Sequence, residues 1–219
     1  LMTGDDLEVR RVALDALFAI LTENGALFPP SFWDTVCNDV LFPIFNVLRN
    51  RSDVTRFSTH EDMSVWLSTT MIQALRHLIA LWTHFFDTLQ SRLGGLLELL
   101  CACICQENDT LARIGTACLQ QLIVQNLTHM DASAWELVAD AFLRLFRATI
   151  ATQVFDPALS STEHAMPATE RRAAFKQIIV KCVLQLLLIE TAHELLQDTA
   201  VYEAVPVGQL LRLTAALED

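Results

Sequence analysis

Turn-forming residues are scarce in this chain. Six glycines and six prolines stand among 219 residues, about half the usual share. An all-β chain needs such residues at every corner, so that class is excluded. Cationic side chains are also few. Lys and Arg number 15 against 26 Asp and Glu, which leaves a formal charge of −11. Phosphate neutralisation needs clustered Lys and Arg, so direct nucleic-acid binding is disfavoured. Direct docking on an anionic membrane surface is disfavoured for the same reason. No apolar run reaches the ~20 residues of a membrane span. The most apolar stretch, Ile178 to Ile189, is interrupted by Lys181 and Gln185 and reads as a helix buried within protein. Asp5, Asp6 and Glu8 break up the first residues, so no signal peptide is expected. Nor is there a CxxC pair, a phosphate-binding loop, a dinucleotide fingerprint or a nucleophile elbow. No base, nucleophile or metal set converges in sequence, and an enzyme is the weakest reading.

What the chain has in quantity is apolar residues, 53% of the total, enough for a sizeable core, and they recur with helical spacing. Leu14, Leu17, Phe18 and Leu21 fall at i, i+3, i+4 and i+7. Asp5 and Asp6 suit an N-cap and first-turn acid. Asn24-Gly25 ends this helix, Gly taking the left-handed conformation cheaply. Pro29, Pro30 and Ser31 open a second helix to about Arg49, with a kink expected at Pro43. Residues 50–62 are polar and read as a loop. A third helix is expected from about Met63 to Leu89, then a break or loosened start at Gly94-Gly95 before a fourth that ends near Gln106. Leu111, Ile114, Cys118 and Leu122 line a fifth. A sixth begins near Asp131 or Ser133 and reaches about Gln153. Residues 156–169 read as a loop or disordered linker. The seventh spans about Glu170 to Gln197, with Phe175, Ile178, Ile179, Cys182, Leu186 and Ile189 on one face. Val183, Leu184, Leu187 and Leu188 carry the apolarity round the other sides, which predicts packing on more than one neighbour. Pro206 to Leu217 supplies a short eighth.

The chain also matches itself at an offset of 102. Arg11, Leu17, Asn24, Ser31 and Trp33 correspond to Arg113, Leu119, Asn126, Ser133 and Trp135; Asp34 meets Glu136, and Val36 meets Val138. One deletion later Ile44-Phe45 meets Leu145-Phe146. The repeated unit is helix, short turn, helix, with roughly 50 residues per helix pair, near the HEAT period. The predicted fold class is therefore all-α, a HEAT/armadillo-like α-solenoid of about eight antiparallel helices. Its expected organisation is helical repeats over 1–154, a linker over 155–169 and a continuing repeat over 170–219.

Candidate chemistry is sparse. Cys37, Cys101, Cys103, Cys105, Cys118 and Cys182 read as core thiols in a reducing cytosol. His77 and His84 are seven apart on one helix face, but no third ligand sits at helical spacing, so a packed or exposed pair is the better reading. Trp33, Trp66, Trp82 and Trp135 are spread over four segments and suit core anchors better than base-stacking platforms. Arg171, Arg172 and Lys176 form the one local basic cluster, solvating a helix start or meeting an acidic partner. Ser160-Ser161-Thr162 reads as a surface linker that could accept phosphate. The Asp109 to Arg113 spacing suits a local i,i+4 ion pair, and in HEAT arrays acid and arginine bond between repeats. No catalytic, cofactor-binding or metal residue is assigned.

Several runs resemble one family, the large Golgi exchange factors for Arf GTPases. They are Leu14-Asp15-Ala16-Leu17-Phe18-Ala19-Ile20-Leu21, Leu41-Phe42-Pro43-Ile44-Phe45, Trp66-Leu67-Ser68-Thr69-Thr70, and Cys105 through Gly115. The longest and most specific is Phe175 through Thr191. In that family these runs lie downstream of the catalytic exchange domain, whose glutamate finger has no counterpart here. The resemblance implies a regulatory segment at the trans-Golgi network, cytoplasmic and peripheral, with no cofactor. The implied partners are small GTPases (Arf, Rab), the parent chain's own exchange domain or a second copy, with membrane association indirect. It carries over no GTPase-binding residue. The competing reading is an architectural or dimerisation scaffold, to which uncapped solenoid ends would point.

Overall fold

The structure is a computed structural model describing residues 4–45, 70–155 and 167–218. Every regular element among them is helical. Helix α1 is Gly4–Asn24, and α2 is Pro30–Thr35. A π turn, Val36–Leu41, and a 3-10 turn, Phe42–Phe45, prolong α2. Helix α3 is Ile72–His84, and the short α4 is Phe86–Leu89. Then come α5, Leu93–Ile104, α6, Asp109–Gln125, and α7, Ala132–Thr149. The chain closes with α8, Ala168–Gln197, the short α9, Thr199–Ala204, and α10, Val207–Glu218. The expected loop at 50–62 lies outside the described residues, as does most of 156–169.

The helices pack in two rows. In the first, α1 rests on α3, α3 on α6, and α6 on α8. In the second, the Phe42–Phe45 turn rests on α5, α5 on α7, and α7 on α10. Contacts of α5 with α6 and of α7 with α8 join the rows. The buried arc of each helix reports how many neighbours it has. On α1, among residues 8–24, Leu14, Phe18 and Leu21 are buried, a narrow stripe suited to one row neighbour. On α6 the buried set runs from Cys118 through Leu111 and Gly115 to Ile123 and Thr116, an arc of about 160° at 100° per residue. On α10 no residue is fully buried.

The offset-102 repeat maps onto this arrangement. Helices α1 and α6 stand in the first row, α2 and α7 in the second. Trp33 and Trp135 are 1% and 5% exposed. Asn24 and Asn126 follow or end their helices in the same manner: each side-chain amide donates to the carbonyl four residues back, at 2.9 Å to Ile20 and 2.7 Å to Leu122.

Several local expectations are corrected by packing. Gly25 is not left-handed, and no described glycine has positive φ. Instead a Cβ at Gly25 would lie 2.6 Å from the rings of both Phe85 and Trp33. Its bare Cα lets Trp33 Nε1 donate to the Gly25 carbonyl at 3.3 Å. The third helix does not run to Leu89 but breaks at Phe85, with φ −118° and ψ 33°, where that ring packs on Trp33 at 5.3 Å. Gly94 and Gly95 do not break the fourth helix; they sit in its first turn, where Gly95 admits the ring of Phe42. Before Pro43 the backbone widens into the π turn, since proline cannot bond to the carbonyl four residues back. Helix α7 stops at Thr149, short of Gln153, and its start is capped by Asp131 accepting from Ala134 N–H at 2.8 Å.

The acid–arginine pairs at the repeat starts are local. Arg11 bonds Glu8, and Arg113 bonds Asp109 at 2.9 Å, all exposed. The pairs that cross between helices lie in the second row. Asp34 of α2 meets Arg92 at 2.5 Å, Glu98 of α5 meets Arg144 of α7 at 3.8 Å, and Asp140 of α7 meets Arg212 of α10 at 2.5 Å. At each step the earlier element supplies the acid and the later one the arginine.

These contacts set testable stabilities. Truncating Trp33 or Trp135 to Ala should each cost ~3–5 kcal/mol in urea unfolding, the range for buried aromatics. Gly25→Ala should cost ~1–3 kcal/mol, because the neighbours that must yield are two packed rings. Arg212→Ala, at an exposed pair, should cost under ~1 kcal/mol.

Candidate functional site

No three His, Cys, Asp or Glu side chains gather into a metal-sized group among the described residues. His77 and His84 share no site. His77 Nε2 lies 2.9 Å from Asp15 Oδ1 on α1, and Gln73 donates to the same oxygen at 2.7 Å. The His77 ring stacks on Phe18 at 5.2 Å. His84 is exposed, edge-on to Phe85. A second His–Asp contact, missed from sequence, joins His129 Nδ1 to Asp87 Oδ1 at 2.9 Å. No spacing rule links residues 42 apart, so only the fold could reveal it. These contacts stitch the helices of the first row. Thr83 with Gln125 and Asn126, and Gln120 with Glu194 at 2.7 Å, continue the seam.

The thiols divide into two sets. Cys37, Cys103 and Cys118 are buried and Cys101 partly so, while Cys105 and Cys182 are exposed. Cys105 and Cys182 therefore depart from the expected core thiols. Burial pushes Cys37, Cys101 and Cys118 up to about 11 and Cys103 higher still. Such thiols are poor nucleophiles at neutral pH. Trp33, Trp82 and Trp135 are all core anchors; Trp66 and Ser160-Ser161-Thr162 lie outside the described residues. Of the basic cluster, Lys176 reaches Glu107 ahead of α6 at 2.9 Å.

What remains is surface. A shallow apolar cleft lies beneath α10, with Trp135, Phe142, Leu195, Val201 and Leu213 among its walls. Helix α8 presents two apolar faces rather than one. Leu184, Leu188, Ala192 and Leu195 are buried where the helix packs on α6 and α7. Phe175, Ile179, Leu186 and Ile189 are exposed on the other side, Leu186 by 67% and Ile179 by 61%. Sequence had joined Ile178 to these residues, but Ile178 is buried, at the edge between the two faces.

A thiol reagent at neutral pH should therefore label Cys182 and Cys105 in the folded chain and spare Cys37 and Cys103 until denaturant is added. Raised folded-state values add stability that is complete below the unfolded value of 9.0. Stability should fall as pH climbs from about 9 to about 11, and substituting Cys37 by Ala should reduce that alkaline loss.

Neither a family model nor a solved structure matches the chain. Curated relatives do. The chain is 52% identical over 156 residues to the ADP-ribosylation factor guanine nucleotide-exchange factor SEC7 of Saccharomyces cerevisiae, covering 71% of this chain and 8% of that protein. It is 36% identical over 250 aligned residues to the exchange factor sec72 of Schizosaccharomyces pombe, covering 100% of this chain and 14% of that protein. To the human brefeldin A-inhibited guanine nucleotide-exchange protein 1 it is 25% identical over 162 residues, 74% of this chain and 8% of that protein. The chain thus spans only a small fraction of the length of the relatives it matches. By these matches, running through the repeat units whose packing is described above, the chain belongs to the family of guanine nucleotide-exchange factors for ADP-ribosylation factors.

Proposed function

We propose that the chain is a non-catalytic regulatory segment of an Arf guanine nucleotide exchange factor, built as a HEAT/armadillo-like α-solenoid. Residues 1–154 form helical repeats, 155–169 link, and 170–219 continue the array. It acts in trans-Golgi vesicle trafficking by binding GTPases of the Arf or Rab type, and by restraining or recruiting the exchange domain of its parent. The observation that carries this is the 52% identity to an exchange factor over a stretch that fills 8% of its length. Two further observations support it. The two-row packing of the described helices presents surface along an array. The charge of −11 suits recruitment through a protein rather than through anionic lipid.

A second reading is favoured by a separate observation. The exposed face of α8, with Val207 and Leu211 on α10 and Val9, Val12 and Ile20 on α1, leaves apolar surface at both ends of the rows. Exposed apolar surface of this kind suits an architectural or dimerising scaffold without direct GTPase contact.

A binding titration of the purified chain against Arf and Rab GTPases, each loaded with GTP or GDP, decides between them. The regulatory reading expects saturable binding that is stronger for one nucleotide state, lost on charge swaps along one face. Absence of binding to every GTPase in both states overturns the GTPase half of the proposal, and a titration against the exchange domain then tests the restraining half.

A further inference from the structure

A polar cleft crosses the flank of the second row, between helices that stack on one another. Glu98 of α5, Asp140, Arg144 and Arg147 of α7, and Arg212 of α10 line it. Gly94 lines it too, and a Cβ there would come no closer than 3.9 Å to a neighbour, Leu137 Cδ2. Any larger side chain at 94 would occupy the cleft, and glycine leaves it open. Three arginines thus meet in one hollow of a chain whose formal charge is −11.

The three are not equally engaged. Arg212 donates to Asp140 at 2.5 Å and to Gln209 at 2.8 Å. Arg144 approaches Glu98 only to 3.8 Å, beyond hydrogen-bond distance. Arg147 makes no hydrogen bond or ion pair among the described residues. Both Arg144 and Arg147 are exposed. They stand about 60° apart around α7 and about 4.5 Å apart along its axis, so both can reach one acceptor. Like charges at this spacing repel on an isolated helix, and an acceptor between them would relieve that.

We propose that this cleft binds an acidic segment of a partner protein, with one of its carboxylates held jointly by Arg144 and Arg147. A guanidinium presents paired N–H donors that match the two oxygens of a carboxylate. Carboxylate is also what the row itself sets against arginine, at Asp34–Arg92 and Asp140–Arg212. Glu98 and Asp140 stand in the same hollow, and their charge disfavours a doubly charged phosphate. The overall acidity holds the chain off an anionic membrane, which cannot reach into a concave site. This surface goes beyond the regulatory function above and does not depend on it. GTPase titration reads a different property, so either can fail while the other stands.

Fluorescence anisotropy of a short labelled Glu-rich peptide, titrated with the intact chain, tests the site. Binding should saturate, weaken as salt is raised, and vanish when Gln replaces every Glu of the peptide. Overall attraction cannot mimic this result, because the chain and the peptide repel one another. Arg144→Glu and Arg147→Glu should each weaken binding by ~tenfold or more, the scale of a lost charged hydrogen bond. Thermal unfolding of the Arg147→Glu chain should match that of the unaltered one. Arg172→Glu makes the same charge change outside the cleft and should leave binding intact. Absence of binding overturns the proposal. Binding indifferent to Arg144→Glu and Arg147→Glu, or weakened as much by Arg172→Glu, overturns it equally. Displacement of the peptide by inorganic phosphate, or by vesicles containing phosphatidylinositol phosphate, overturns the assignment to a protein carboxylate.

Discussion

The contact of α5 with α6 is the constraint on which the other helices depend. A four-residue turn joins them, so helices packed along each other there must run antiparallel. Gly115 lets the backbones approach: a Cβ at that position would lie 2.8 Å from Ile104 Cγ1 and 3.3 Å from the Ile104 backbone nitrogen. Both helices are buried over arcs far wider than a surface helix needs. Helix α5 uses the excess on α7, and α6 uses it on α3 and α8. The two rows are thus extended from one tight pair. A packed interior has little room to adjust, so a change of spacing there would move every helix stacked on either side.

Along the rows, polar contacts orient helices more than they hold them. The acid–arginine steps of the second row are between one third and three fifths exposed, where ion pairs contribute little. Their regularity still matters, because each fixes the register of one helix on the next. The carboxyl of Asp34 is lowered by its hydrogen bond from Arg92, so that step persists above the ordinary carboxylate range and is lost as pH falls through the depressed value. The His–Asp contacts of the first row do the same orienting work between α1 and α3 and between α4 and the turn after α6.

A repeat array spends its buried area on its own neighbours and offers the remainder sideways or at its ends. Many polar side chains of the described residues are spent on contacts between helices, and the thiols that are buried are held protonated.

Much of the fold was legible in the linear chain. The helical periods, the start of the sixth helix near Asp131, and the offset-102 repeat that pairs Trp33 with Trp135 are local or self-referential signals, and backbone chemistry expresses them without help from distant residues. The family resemblance was legible for the same reason, since it rests on contiguous runs. Tertiary structure decided what spacing cannot encode. Gly25 looked like a left-handed helix stop and is a seat for two rings, because its neighbours come from residues 8 and 60 positions away. The third helix broke at Phe85 because a ring was wanted against Trp33. The arginine of the repeat motif stayed local, while unremarked arginines at 92, 144 and 212 bridged successive elements of the second row. Above all, the apolar girdle of α8 gave no hint of which side would be covered. Periodicity states that a face is apolar; only the placement of α6 and α7 determines that Leu188 is core and Leu186 is surface.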